Sequence, residues 1–183
     1  VPLVDAVAVC EHLQPVPGRM ECLGGVDAPL VAVDYAHTPD AIGKALCALK
    51  PLARQRGGKL WCVLGCGGDR DASKRPMMGA LAAQHADCVV VTSDNPRSEK
   101  PEAIVAQILL GIAQSDTVQV QVDRAQAIAQ AIACATAHDV ILLAGKGHEL
   151  TQEIAGAKYP FSDRAHALAA LSRRTACPAG AAA

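Results

Sequence analysis

Four stretches of this chain place acids, arginines and glycines directly after apolar runs. They are Asp34-Tyr35-Ala36-His37-Thr38-Pro39, Gly65-Cys66-Gly67-Gly68-Asp69-Arg70-Asp71, Ser93-Asp94-Asn95-Pro96-Arg97 and Gly145-Lys146-Gly147-His148-Glu149. Arg70 and Arg97 carry planar forks that match carboxylates, while Asp94 and Glu149 can accept from an ammonium. Together they suit a zwitterion bearing more than one acid group. The competing reading is that Asp94 and Arg97 pair with each other or cap the next helix. The glycines at 65, 67 and 68 permit close backbone approach to a ligand and can point N–H groups at an anion. They do not make a dinucleotide fingerprint, because the third glycine of G-x-G-x-x-G would fall on Arg70. No G-x-x-x-x-G-K-[ST] phosphate loop occurs in the chain, so a complete nucleotide-hydrolysing machine is not encoded in it. His37 and His148 could act as bases or metal ligands. They lie far apart in sequence without a His-x-x-x-His spacing, which argues against a metal. His12, His85, His138 and His166 fall at helix ends or on helix faces and read as solvated or capping groups. Lys74 and Arg75, after Asp69-Arg70-Asp71, read equally well as a solvated charge run before a helix.

The elements that must present these turns follow from the residue pattern. Residues 6–14 read as the end of a helix, and "PVPGRMECL" (15–23) as a linker entering a strand. "LVAVDYA" (30–36), "KLWCVLG" (59–65), "CVVVTS" (88–93) and "DVILLAG" (139–145) predict strands, the last the most buried. Thr38-Pro39-Asp40 opens a helix to about Ala53, with Pro39 suited to its first turn. Further helices are expected at about 75–86, from Pro101, from Asp123 to about Ala137, and from near Asp163. Ile128 and Ile132 share one face of the helix that Asp123 caps. "VQVQV" (118–122) predicts a short strand near an edge, 151–163 a small β excursion, and 175–183 a frayed tail. Strands alternating with helices, apolar throughout rather than at every second position, predict an α/β, Rossmann-like fold. Its sheet is mostly parallel with helices on both faces. In such a sheet the carboxyl ends of the strands point one way, so the four polar turns should share one crevice.

Composition narrows the choices. The chain has 183 residues, suited to one domain, and is 51% hydrophobic but only 2% aromatic. Ala, Val, Leu and Ile must therefore build the core. Seventeen Lys and Arg balance 18 Asp and Glu, which leaves no field for nucleic acid or an anionic membrane. No apolar stretch is long enough to span a bilayer. The start, "VPLVDAVAV", has no basic n-region, which argues against a signal peptide, and it lacks an initiator Met, as a fragment would. The eight cysteines show no zinc spacing. Cys47, Cys62, Cys88 and Cys134 sit in apolar runs and are expected to be buried as small hydrophobes. A reducing, cytoplasmic location follows.

The stretches "GRMECL", "VDYAHTPDA", "GCGGDRDASKRPMMG", "TSDNPRSE", "AGKGHE" and "FSDRAHA", in this order from about residue 15 to 170, resemble the C-terminal domain of the Mur ligases. These are ATP-dependent amide-forming enzymes of peptidoglycan synthesis. The likeness is to the MurE-type subgroup, which adds meso-2,6-diaminopimelate to UDP-N-acetylmuramoyl-L-alanyl-D-glutamate through an acyl phosphate. The resemblance implies that Asp94, Asn95, Pro96 and Arg97 form the turn that recognises the distal end of diaminopimelate. It also implies that Arg70 reaches a carboxylate, and that the Gly145 carbonyl and Glu149 hold an ammonium. Arg19 resembles an arginine that approaches the ATP phosphates, and Asp34 an aspartate at the nucleoside, with Tyr35 and His37 nearby. No metal ligand carries over, and no catalytic residue. The family's phosphate loop, magnesium ligands, modified lysine and uridine-binding domain precede the matching region. ATP and Mg2+ would thus be held mainly by a central domain, and the matching region alone would be inactive. On this likeness residues 1–17 are the end of a central-domain helix and a linker, 18–174 the C-terminal domain and 175–183 a flexible tail. Its partners would be diaminopimelate, the UDP-N-acetylmuramoyl dipeptide, ATP and the enzyme's own preceding domains. The alternatives are a stand-alone Rossmann-like module, or a lysine-adding or folylpolyglutamate-type ligase domain.

Overall fold

The computed structural model describes residues 16–113 and 115–175, together with Pro2, Leu3, Asp5 and Val7. The helix end expected at 6–14 and the tail expected at 175–183 lie almost wholly outside the described residues, as does His12. The apolar runs form strands β1 (Glu21–Gly24), β2 (Leu30–Asp34), β3 (Leu60–Leu64), β4 (Cys88–Val91), β5 (Val118–Val120) and β6 (Val140–Ala144) of one sheet. Its order is β1-β2-β6-β3-β4-β5, with β1 antiparallel to β2 and every other pair parallel. β3 and β6 lie inside the sheet and are buried along their whole length, whereas β5 forms an edge. A separate hairpin of β7 (Thr151–Ile154) and β8 (Ala157–Pro160) accounts for the expected β excursion.

Helices cover both faces, as the alternation predicts. α1 (Pro39–Gln55), α2 (Lys74–His85) and α3 (Pro101–Leu109) pack on one face, where Ile42, Leu46, Met78, Ile104 and Ile108 meet Cys62, Leu64 and Leu142. α4 (Arg124–Cys134) and α5 (Asp163–Thr175) cover the other, where Ile128, Ile132 and Ala167 meet Val63, Val90, Ile141 and Leu143. Each fully buried isoleucine contributes about 2 kcal/mol by removal from water. The Thr38 hydroxyl accepts from the Ala41 N–H at the start of α1, and Pro39 opens that helix. Asp123 caps α4 in the same way through the Gln126 N–H.

Two expectations need correction. Cys62 and Cys88 are buried, but Cys47 and Cys134 are exposed. Both stand on helices, where 3.6-residue periodicity turns part of an apolar run outward. The buried face of α1 is Ile42, Ala45, Leu46, Leu49 and Ala53, which leaves Cys47 beside it. α4 also stops at Cys134 rather than near Ala137. Ala135 is extended, and the carboxylate of Asp139 takes the Thr136 N–H that would continue the helix.

Candidate functional site

The parallel register fixes where the polar turns fall. Asp34 and Leu64 both pair with Ala144, and Leu64 pairs with Val91, so β2, β6, β3 and β4 end at one level. The turns that follow share a cleft of about 480 Å³. Arg70, Asp94, Asn95, Arg97, Gly145 and Glu149 line it, and Tyr35, His37 and Thr38 stand at its β2 side. Arg19, Asp34 and Pro96 do not line it.

The β3 and β4 turns are laced together. The Gly68 N–H donates to the Asn95 carbonyl at 2.8 Å, and a side chain at Gly68 would strike the Pro96 carbonyl. That collision is the physical reason for glycine there, and it gives Pro96 a shaping role. Arg97 Nη1 donates to the Gly68 carbonyl at 2.6 Å, while its Nε lies 3.8 Å from Glu153. Arg97 thus turns to Gly68 and Glu153, and the pairing with Asp94 that competed in the sequence does not form. Its backbone has φ +52, the left-handed region that costs a branched or long residue about 1–2 kcal/mol. The hairpin holds it there: the Arg97 N–H donates to the Glu153 carbonyl, and the Ala155 N–H donates to the Arg97 carbonyl.

Behind the cleft stands a residue to which the sequence pattern gives no role. Lys146 is fully buried, and its Nζ donates to Asn95 Oδ1 and to Glu149 Oε2, each at 2.9 Å. Asp94 lies 3.7 Å from the same ammonium. Burial pushes the Asp94 carboxyl above its usual range, against the pull of Arg124 and Lys146. Burial would raise Glu149 too, but hydrogen bonds from Lys146 and Asn95 outweigh it and hold that carboxyl below the usual range. Gly145 has φ +116, and a Cβ there would come within 2.5 Å of Asp94 Oδ2.

Arg75 is also not solvated. It is 2% exposed and forms a forked pair with Glu99 at 2.7 and 2.8 Å, with further bonds to Gln107 and the Gly67 carbonyl. Lys74 does stay at the surface. At the β2 side, the Arg19 guanidinium lies over the Tyr35 ring at 4.7 Å, and Tyr35 faces His37 and His148 at 4.5 and 5.5 Å. Asp34 accepts the Met20 N–H, which ties the segment before β1 to the end of β2. His37 Nδ1 lies 2.8 Å from the Tyr35 carbonyl; since a carbonyl only accepts, that nitrogen carries the proton. His138 is exposed, while His85 and His166 are partly buried, His166 with its ring against Phe161. Among the described residues no three His, Cys, Asp or Glu side chains converge to hold a metal ion.

A family model described as "Mur ligase, glutamate ligase domain" matches residues 18–147. The chain belongs to the Mur ligase family. It is 64% identical over 174 residues to a UDP-N-acetylmuramoyl-L-alanyl-D-glutamate–2,6-diaminopimelate ligase of Acidovorax sp. strain JS42, covering 95% of this chain and 35% of that protein. A solved structure of a ligase with the same printed name superposes with a TM-score of 0.80 at 40% identity, over 96% of this chain and 35% of that one. The folylpolyglutamate synthase of Thermotoga maritima superposes less well, with a TM-score of 0.53 at 21% identity over 72% of this chain and 28% of that chain. This last likeness is one of fold alone. The chain therefore spans about a third of the length of these two diaminopimelate ligases.

Proposed function

We propose that this chain is the amino-acid-binding C-terminal domain of an ATP-dependent ligase. That ligase joins meso-2,6-diaminopimelate to UDP-N-acetylmuramoyl-L-alanyl-D-glutamate in the cytoplasm. The observation that carries the reading is the meeting of Arg70, Asn95, Arg97 and Glu149, groups of both charge signs, around one cleft. Arg97 and Arg70 take carboxylates of the amino acid, with the Asn95 amide beside them. Glu149, the Gly145 carbonyl and the Asp94 carboxylate receive an ammonium. Diaminopimelate differs from lysine by one carboxylate, and the partly buried Arg97 guanidinium left without it loses a charged partner.

The nucleotide belongs at the β2 side. Arg19 stacked on Tyr35 offers a cation and a flat aromatic face, and His37 and His148 extend it. These groups fit a base or a phosphate, with Asp34 near the nucleoside, but the chain carries no phosphate loop. ATP with Mg2+ would supply the phosphoryl group that activates the dipeptide carboxylate. The share of residues 18–174 is to hold and orient the attacking amine, next to a central domain that carries the phosphates.

The test uses the full-length ligase. Wild type should use diaminopimelate and discriminate strongly against lysine. Arg97→Ala should raise KM for diaminopimelate about 30-fold, the worth of about 2 kcal/mol of charged hydrogen bonding, and leave KM for ATP within about twofold. Equal use of lysine and diaminopimelate by the wild type would refute the assignment of Arg97 and favour a lysine-adding enzyme.

A further inference from the structure

We propose that Lys146 is a positioning residue for the amino-acid site: its buried ammonium, together with the Glu153 N–H at Asn95, sets which atoms of Asn95 and Glu149 face the ligand. The inference rests on the function proposed above and adds to it a residue that never touches substrate. Lys146 has no exposed surface and does not line the cleft, whereas both of its hydrogen-bond partners do.

Hydrogen-bond direction fixes the orientation of both partners. Asn95 Oδ1 has two neighbours, Lys146 Nζ at 2.9 Å and the Glu153 N–H at 3.0 Å, and both are donors. Only the carbonyl oxygen of the carboxamide can satisfy two donors, so its orientation is fixed. The amide nitrogen then points the other way and donates to Glu149 Oε2 at 2.8 Å. Asn95 consequently offers the cleft an N–H, which recognises a carboxylate, and not a carbonyl, which would recognise an ammonium. Glu149 is fixed by the same device. Its Oε2 already receives both Lys146 and Asn95, which leaves Oε1 as the oxygen for an incoming ammonium.

Charge explains why the residue is a lysine. Asp94 and Glu149 both lie beside the ammonium, at 3.7 and 2.9 Å. Without that cation, the buried Asp94 carboxylate and the partly buried Glu149 carboxylate would repel, and one would take up a proton. A proton on Glu149 would turn an acceptor into a donor and spoil the ammonium site. The ring of Phe161, 5.9 Å from Nζ, closes the apolar side of the lysine.

The test is a mutant cycle in the full-length ligase, with KM determined for each substrate. Lys146→Met keeps the volume and removes the donor, and should raise KM for diaminopimelate about tenfold or more. KM for ATP and for the UDP-linked dipeptide should stay within about twofold. Lys146→Gln, which can still donate to one partner, should lose less, and it carries the test if the methionine variant does not fold. Asn95→Ala removes the group through which Lys146 acts, so the combined Lys146→Met and Asn95→Ala variant should fall short of the product of the two single effects by about fivefold. Multiplying effects, an unchanged KM for diaminopimelate, or an equal rise in all three KM values would each overturn the inference. If the wild type turned out to use a different diamino acid, the proposed substrate would fall. The cycle would then be run on that amine, and Lys146 judged by the same non-additivity.

Discussion

Arg75 shows how much one side chain can hold in this cleft wall. Its fork grips Glu99, and Glu99 Oε1 also accepts the Asp69 N–H at 2.7 Å. The hydrogen bonds from Arg75, and then that backbone N–H, pull the Glu99 carboxyl down to about 2. A carboxyl held lower in the folded state stabilises it above its unfolded value of 4.5 and loses that contribution as pH falls toward 2. The expected outcome is that the unfolding free energy of the chain, measured with urea at stepped pH, declines between pH 4.5 and 2. Glu99→Gln should be less stable at pH 7, and its gap to wild type should narrow over that window. A gap that is constant with pH would show that Glu99 contributes no proton-linked stability. The sequence offered Arg75 as half of a surface charge run, because its partner is 24 positions away and no local pattern points to it. Arg70, Arg97 and Glu149 were legible for the opposite reason: charged groups just past a buried strand have few places to go except the cleft.

Among the elements, the β7–β8 hairpin decides the shape of the Arg97 turn. A two-stranded hairpin is marginal by itself, so it must be anchored. The anchors are Gln152, which donates to Ser93 Oγ at 3.1 Å and the Asp94 carbonyl at 2.6 Å, and the paired backbone bonds of Arg97 with Glu153 and Ala155. Gln152→Ala leaves a buried carbonyl without its donor, a cost of about 1–3 kcal/mol. The expected result is faster hydrogen exchange at the Arg97 and Ala155 amides, with the β6 amides still protected, and a higher KM for diaminopimelate in the full ligase. Undisturbed exchange at Arg97 would show that the hairpin does not hold the turn. The strands and helices themselves were readable because each carries its own period, cap or proline. A small β excursion was readable too, from the stretch 151–163. Its docking was not, since it depends on side chains that meet across about 60 positions of chain.

At the scale of the whole molecule, a buried ion pair joins the sheet to the helices and ties down a site edge that is rich in loops. Arg124, at the start of α4, and Asp163, at the start of α5, are both fully buried and bonded at 2.8 and 2.7 Å. The same guanidinium donates to the Ser93 carbonyl at 3.2 Å and the Ala144 carbonyl at 2.9 Å. It thereby ties the ends of β4 and β6, from which Asp94 and Gly145 enter the cleft, to both helices of one face. Periodicity gave Asp163 as a helix start and Arg124 as the residue after a cap, but nothing local says that the two meet. Removing one member of a buried pair strands the other charge and typically costs about 3–5 kcal/mol, whereas an apolar replacement of both can be far milder. Arg124→Met should therefore lower the unfolding free energy by about 3–5 kcal/mol, and adding Asp163→Leu should restore part of it. The restoration stays partial because the Ser93 and Ala144 carbonyls lose the donor that Arg124 supplies. Equilibrium denaturation of both variants decides the matter. A double variant no more stable than Arg124→Met would place the importance of Arg124 in its carbonyl bonds, and a loss below about 1 kcal/mol in the single variant would remove it as the tie between sheet and helices.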